Sequence, residues 1–323
     1  MSTEFERAIA AQPDALTNVL ALELPGSVDD LAGSRRVWLV GTGTSQHAAE
    51  LGAGVLAEAG LDTRAMGSAA FARWTPTPDA DDAVIVLSHT GETAYARSAR
   101  ARAQEAGALL LSVTALGGGW PEAIATVPRE RSQTYSTSHT AALLVLARIA
   151  GRLGAASCAP QELYKVPGAV KEALNAPALA TGAAARLTVL VGAGPCAVTA
   201  REGALKLREA ARVLAEGYDA ESLLHGHGVP LRAGDRLLLV GEDADPDGLV
   251  GALGLAAAAE GLAVTGLPTD PRLGLGLAQI PLTVRLQRHA LDVATATGAD
   301  PDTVITGAWA DTSLWTRGGP VPR

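Results

Sequence analysis

The chain has 323 residues, enough for two domains of ordinary size, and 48% of them are apolar, so a large core can be buried. A net charge of -8 without any run of Lys or Arg excludes a binder of nucleic-acid backbones, which shows a basic stripe. Two cysteines, Cys158 and Cys196, exclude a disulfide framework, and neither a secretory start nor an apolar run of bilayer length is present, so a cytoplasmic protein without membrane association is expected.

In chain order, Glu4 to Leu22 has amphipathic helical spacing interrupted at Gln12-Pro13. RVWLVGTGTS, from Arg36, reads as a buried strand running into a Gly/Thr/Ser turn, and AAELGAGVLAEAG as the helix after it. The pattern repeats at DAVIVLSHTGETA, from Asp82, with a helix to Ala106. ALLLSVTAL follows as another strand, and Ser138 to Leu153 as a long helix. After a break near Gly154 to Pro177 the pattern restarts: LTVLVGAGP as strand and turn, Thr199 to Leu214 as helix, DRLLLVGED as strand, Leu249 to Gly261 as helix, LAVTGLP as strand. Strand–helix alternation with continuously apolar strands marks parallel sheets covered on both faces. The spacing predicts an α/β protein with two doubly wound, flavodoxin-like parallel-sheet domains in tandem. The expected divisions are an N-terminal helix over 1–19, a first domain over 20–155, a linker over 156–176, a second domain over 177–300 and a tail over 301–323 wrapped over a neighbouring surface.

The most specific local feature is Ser88-His-Thr-Gly-Glu-Thr93, between a buried strand and a helix. Free N–H groups and the positive end of the helix dipole face a ligand there, Ser88, Thr90 and Thr93 add hydroxyls, and Gly91 allows close approach. The competing reading is a plain helix cap by Thr90 or Thr93; three hydroxyls around one glycine favour a phosphate. Gly41-Thr-Gly-Thr-Ser45 and Ser136-Thr-Ser-His-Thr140 are two further polar helix starts, the second equally readable as a cap. Neither the dinucleotide fingerprint nor a P-loop is present. Glu202, Lys206 and Glu209 fall at i, i+4 and i+7, one helix face, where a surface ion pair is the bland alternative. His225 and His227 in LLHGHG lack the further ligands a metal site needs.

These stretches resemble the SIS (sugar isomerase) domain, and the whole chain is similar to the tandem-SIS isomerase half of the glucosamine-6-phosphate synthase (glutamine–fructose-6-phosphate aminotransferase) family. AIAAQPDALTNVL resembles its helical entry, GTGTSQHAA its CGTS turn, LSHTGETA its SQSGET phosphate loop, and EGALKLRE followed by AEGYDAESLLHGH its EGALKLKE and HG segments. The resemblance implies that Ser45, Ser88, Thr90 and Thr93 hold a sugar phosphate and that Thr137 lies in a sugar-contacting loop. It implies that Glu209 moves a proton between C1 and C2 with Glu202 and Lys206 as charged companions. His225 is implied to open the ring from the neighbouring subunit, hence a homodimer. No cofactor and no metal are implied. The chain departs from that family in three ways. It begins at the SIS region with no cysteine near its start, so glutaminase activity is expected to be absent. Trp309 stands near the position of the tail lysine, and no lysine follows Lys206. Ser222 replaces an acidic residue, with Glu221 one position away. Two functions stay open: an aldose–ketose isomerase, deaminase or deglycase of an (amino-)sugar 6-phosphate, or a sensor that binds the sugar phosphate without turnover.

Overall fold

A computed structural model describes residues 2–179 and 186–320. The fold is α/β, with two parallel sheets. The first contains β1 (Arg36–Gly41), β2 (Thr63–Gly67), β3 (Asp82–Leu87), β4 (Leu109–Thr114) and β5 (Ala123–Ala125), in the order β2-β1-β3-β4-β5. The second contains β6 (Thr188–Gly192), β7 (Ala215–Asp219), β8 (Arg236–Val240) and β9 (Ala263–Leu267), in the order β7-β6-β8-β9. The internal duplication read from the strand pattern is thus present in the topology: both sheets place their second strand on one side of the first and their third on the other. The strand order reverses between β1 and β3, and again between β6 and β8. The crevice at the carboxyl end of such a reversal is where ligands of open α/β sheets bind.

The central strands form because they are apolar without interruption. Every residue of β3 is buried, from Asp82 to Leu87, as parallel strands covered by helices must be. Asp82 is the one charge in that strand. Burial alone would raise its pKa, but hydrogen bonds from Arg36 and Arg35 hold it below the usual carboxylate value. β2 and β7 carry no continuous apolar run, and that of β5 is only three residues long, so the sequence pattern does not reveal them. All three are edge strands, paired on one side only, so their sequences (TRAMG, AIA and AEGYD) need not be uniformly apolar. Helix Leu275–Thr297 contains Pro281, which interrupts its helical pattern in the sequence.

The chain divides into two compact units that are discontinuous in sequence. Residues 1–13, 131–136 and 166–304 form the four-stranded unit; residues 14–130, 137–165 and 305–323 form the five-stranded unit. The helical entry is two helices, Glu4–Ala10 and Gln12–Ala21, separated where the sequence breaks at Gln12-Pro13. In the four-stranded unit, Phe5 and Ile9 of the first helix join the core made by helices Pro195–Ala211 and Leu275–Thr297. That helix is held from the far end of the chain, since both Asp302 carboxylate oxygens accept backbone N–H bonds at 2.8 Å, from Glu4 and Phe5. In the five-stranded unit the tail closes on helix Ala94–Glu105: Ser98 Oγ donates to the Gly318 carbonyl at 2.6 Å. The segment expected as a linker holds the helices Pro160–Leu163 and Val166–Asn175. No helix among the described residues is long and apolar enough to cross a membrane.

Candidate functional site

In the five-stranded unit, β1 and β3 end level with each other, Val40 being paired with Val86. Each runs straight into a helix N-terminus. After β1, Gly43 (φ 57°, ψ -125°) turns the chain into helix Thr44–Ala57 with no side-chain cap, and half-buried Ser45 sits in its first turn. After β3 come Ser88 to Thr93 and then helix Ala94–Glu105. Thr93 occupies the cap position but its side chain makes no capping bond. Thr90 Oγ1 accepts from the Glu92 N–H at 3.1 Å, inside the turn. The simple-cap reading therefore does not describe this helix, whose first N–H groups carry no side-chain acceptor. Ser88 is 4% exposed, and its hydroxyl has no hydrogen-bond partner among the described residues. A buried unpaired hydroxyl is costly, and a ligand oxygen would satisfy it. Gly91 (φ +69°) is obligatory, because a Cβ there would meet the Gly118 carbonyl at 2.9 Å.

The loop is held from one side by residues 129–130. Arg129 donates twice to the Glu92 carboxylate, at 2.8 and 2.9 Å, and the Glu130 N–H donates to His89 Nε2 at 3.0 Å. Burial lowers the pKa of His89, so the ring stays neutral and free to accept that bond; Glu130 works against the shift and Arg129 with it. Glu130 also reaches the third polar helix start. Its carboxylate accepts from the N–H groups of Thr137 (3.3 Å) and Ser138 (2.9 Å), capping helix Thr137–Arg152. An internal anion fills that N-terminus, and Thr137 itself is buried. No sequence signal flagged Glu130, which caps from seven residues upstream of Thr137 rather than from the cap position.

In the four-stranded unit, Glu202, Lys206 and Glu209 lie on helix Pro195–Ala211 as the spacing predicted, and the surface alternative is excluded. Glu202 and Lys206 are 0% exposed, whereas the Glu209 side chain is 21% exposed. Lys206 Nζ lies 2.5 Å from Glu209 and 3.5 Å from Glu202. The buried Lys206 Nζ thus bridges the two carboxylates and fixes Glu209 in orientation. β7 abuts this helix: a Cβ on Gly217 would fall 2.4 Å from Arg201 Cα, so only glycine permits the contact. β7 leads directly into the turn bearing His225, which is exposed, with φ -86° and ψ 45°, next to Gly226 at φ 115°. The strand that precedes the histidine's turn is thus in backbone contact with the helix that carries the cluster. No group of three or more His, Cys, Asp or Glu able to hold a metal occurs among the described residues.

Residues 30–120, within the five-stranded unit, match the family model of the SIS domain. Beyond that domain, the chain is similar to the isomerase part of glutamine–fructose-6-phosphate aminotransferase [isomerizing]. The protein of that name from Thermococcus kodakarensis is 28% identical over 92% of this chain and 56% of its own length. The one from Acidithiobacillus ferridurans is 31% identical over 72% of this chain and 43% of its own. The chain spans about half or less of these curated relatives. Among solved structures, the tagatose-6-phosphate ketose/aldose isomerase of Escherichia coli superposes with a TM-score of 0.79 at 18% identity, covering 94% of this chain and 96% of that one. The C-terminal domain of the aminotransferase from Francisella tularensis gives 0.77 at 18%, covering 94% and 98%. The glucosamine-6-phosphate deaminase of Thermotoga maritima gives 0.76 at 16%, covering 93% and 97%. At such identities the likeness to solved structures is one of fold.

Proposed function

We propose that the protein binds a phosphorylated sugar and is an aldose–ketose isomerase or deaminase of an (amino-)sugar 6-phosphate. The five-stranded unit supplies the phosphate anchor: Ser45, Ser88, Thr90, Gly91 and Thr93 at two helix N-termini without side-chain caps, with Thr137 as a sugar contact. The four-stranded unit supplies acid/base chemistry. His225 acts as general acid/base in ring opening. The Glu209 carboxylate takes the C2 proton of the open aldose and returns it to C1 through the enediol, or the enolamine of an amino sugar. Lys206, itself paired with Glu202, holds the Glu209 carboxylate in orientation. Binding energy spent on the phosphate, remote from C1 and C2, orients the reacting carbons. The observation that carries this reading is the buried Lys206 locked between Glu202 and the partly exposed Glu209, an expensive arrangement that a pure binder does not need. The names of the relatives and of the solved structures support the substrate class. The proposal includes a cytoplasmic homodimer, with His225 serving the partner subunit.

The experiment is a panel of hexose and hexosamine 6-phosphates, read by thermal shift for binding and by NMR for turnover. Glu209→Gln is expected to lower kcat by about 10²–10⁴-fold while leaving binding intact. Binding without turnover by the unaltered protein across the whole panel would instead establish the sensor reading.

A further inference from the structure

The turn that presents His225 is fastened at both ends, and the fastening at its exit is an aromatic stack. At its entrance, the Asp219 side chain accepts the Ser222 N–H at 2.9 Å. Across its base, the Gly228 N–H donates to the Leu223 carbonyl at 2.9 Å. At its exit, the His227 ring stacks on Tyr218, with centroids 4.3 Å apart and planes 20° from parallel. Tyr218 is a fixed platform. It belongs to β7, packs against the core of the four-stranded unit around Val189, Val191 and Leu239, and has its hydroxyl tied to Glu216 at 2.5 Å. That bond raises the Tyr218 pKa to about 12, so the phenol stays protonated and keeps donating across the working pH range. Between the two fastenings the backbone is non-helical at His225 and Gly226, and both residues are exposed. An exposed two-residue kink with no core contact of its own holds one conformation only if its flanks are pinned.

From this geometry we infer that His227 and Tyr218 are positioning residues for His225: their stack, rooted in β7, sets the direction in which the His225 imidazole is offered. His227 therefore has a role of its own, neither a metal ligand nor a second acid/base group. The inference rests on the reading of His225 as the ring-opening residue, and its test separates the two.

Backbone amide exchange over residues 223–228 and steady-state kinetics on the sugar phosphate turned over in the panel are measured for His225→Ala, His227→Ala, His227→Phe and Tyr218→Leu. Since an aromatic pair contributes modestly beyond its buried area, His227→Ala and Tyr218→Leu are expected to speed exchange in the turn by about three- to tenfold. They are expected to lower kcat with KM unchanged, while exchange in the core strands stays as in the unaltered protein. His227→Phe, which restores a ring but no titratable nitrogen, is expected to recover both exchange and kcat. Unchanged exchange in His227→Ala, or a failure of His227→Phe to recover kcat, overturns the positioning role. Full turnover by His225→Ala overturns the reading of His225, and does so whatever the stack contributes to order in the turn.

Discussion

The two sheets repeat one backbone device and fill it with opposite chemistry. Gly43 after β1 has φ 57° and ψ -125°; Gly194 after β6 has φ 52° and ψ -127°. Each starts a helix at the same place in its sheet. The first helix opens with Thr44 and Ser45, whereas the second opens with Pro195, which has no N–H, and buried Cys196, whose thiol accepts from Gln279 at 3.4 Å. The third strands diverge in the same sense. After β3 stand Ser88, Thr90 and Thr93 around an uncapped helix. After β8 stand Glu242, Asp243 and Asp245, and Asp245 fills the start of helix Leu249–Ala259 by accepting the Val250 N–H at 2.7 Å. Burial, with the charge of Asp243 added, pushes the Glu242 pKa up against a hydrogen bond from the Leu267 backbone. The topology provides an anion-binding position in both units. In the four-stranded unit its own carboxylates occupy or oppose that position, and the proposed acid/base groups lie instead on the body of helix Pro195–Ala211.

This contrast can be broken in several ways. The largest effect is expected from Lys206→Met, which leaves Glu202 buried without its cation; a loss of about 3–5 kcal/mol in urea unfolding is expected. A near-neutral result would mean that the charge cluster is not what distinguishes this unit. Next is acid sensitivity. His289, buried in helix Leu275–Thr297, has an Nδ1 without a partner among the described residues. Burial first and Arg236 second push its pKa down from 6.5 to about 4. Its folded pKa being the lower one, the unfolded chain binds the extra proton between these values. Stability is therefore full above about pH 6.5 and lost as pH falls toward 4, by up to about 3 kcal/mol. Thermal midpoints across that window should fall more steeply for the unaltered protein than for His289→Gln; parallel curves would remove His289 as the cause.

Smaller effects separate the two turns directly. Ser88→Ala is expected to weaken sugar-phosphate binding about tenfold, the scale of one hydrogen bond to a charged group, while Glu242→Gln leaves it unchanged in calorimetric titration. Equal losses from both would erase the distinction between β3 and β8. The smallest is Asp245→Ala, expected to cost about 1 kcal/mol of stability as a lost cap, without creating an anion site, because the turn GEDADPDG contributes acidic side chains and no hydroxyl.

Much of the candidate site was legible because it is local. A hydroxyl-rich turn between an apolar strand and a helix is contained within Ser88–Thr93, and the spacing of Glu202, Lys206 and Glu209 is fixed by helical periodicity alone. The restart of the strand pattern after Pro177 likewise announced the duplication. What periodicity left undecided was whether those three charges face solvent or core, and the helix start at Ser136–Thr140 remained balanced between ligand and cap. The structure places the Glu130 carboxylate, from outside the expected cap position, on two of its N–H groups.

The sequence alone determined the α/β class, the two parallel sheets and the identity of the turns, since continuous apolar strands and 3.6-residue periodicity are properties of contiguous residues. The tertiary structure alone decided which helix N-termini lack a side-chain cap, which charges are buried, that β7 lies against the helix of Glu209, and that His227 rests on Tyr218. Those outcomes depend on groups brought together from different elements, and no local pattern encodes the meeting of Glu130 with Thr137 or of Gly217 with Arg201. The first 13 residues show the same division: their helical pattern is plain in the sequence, but their place in the core of the four-stranded unit, capped by Asp302, follows only from packing.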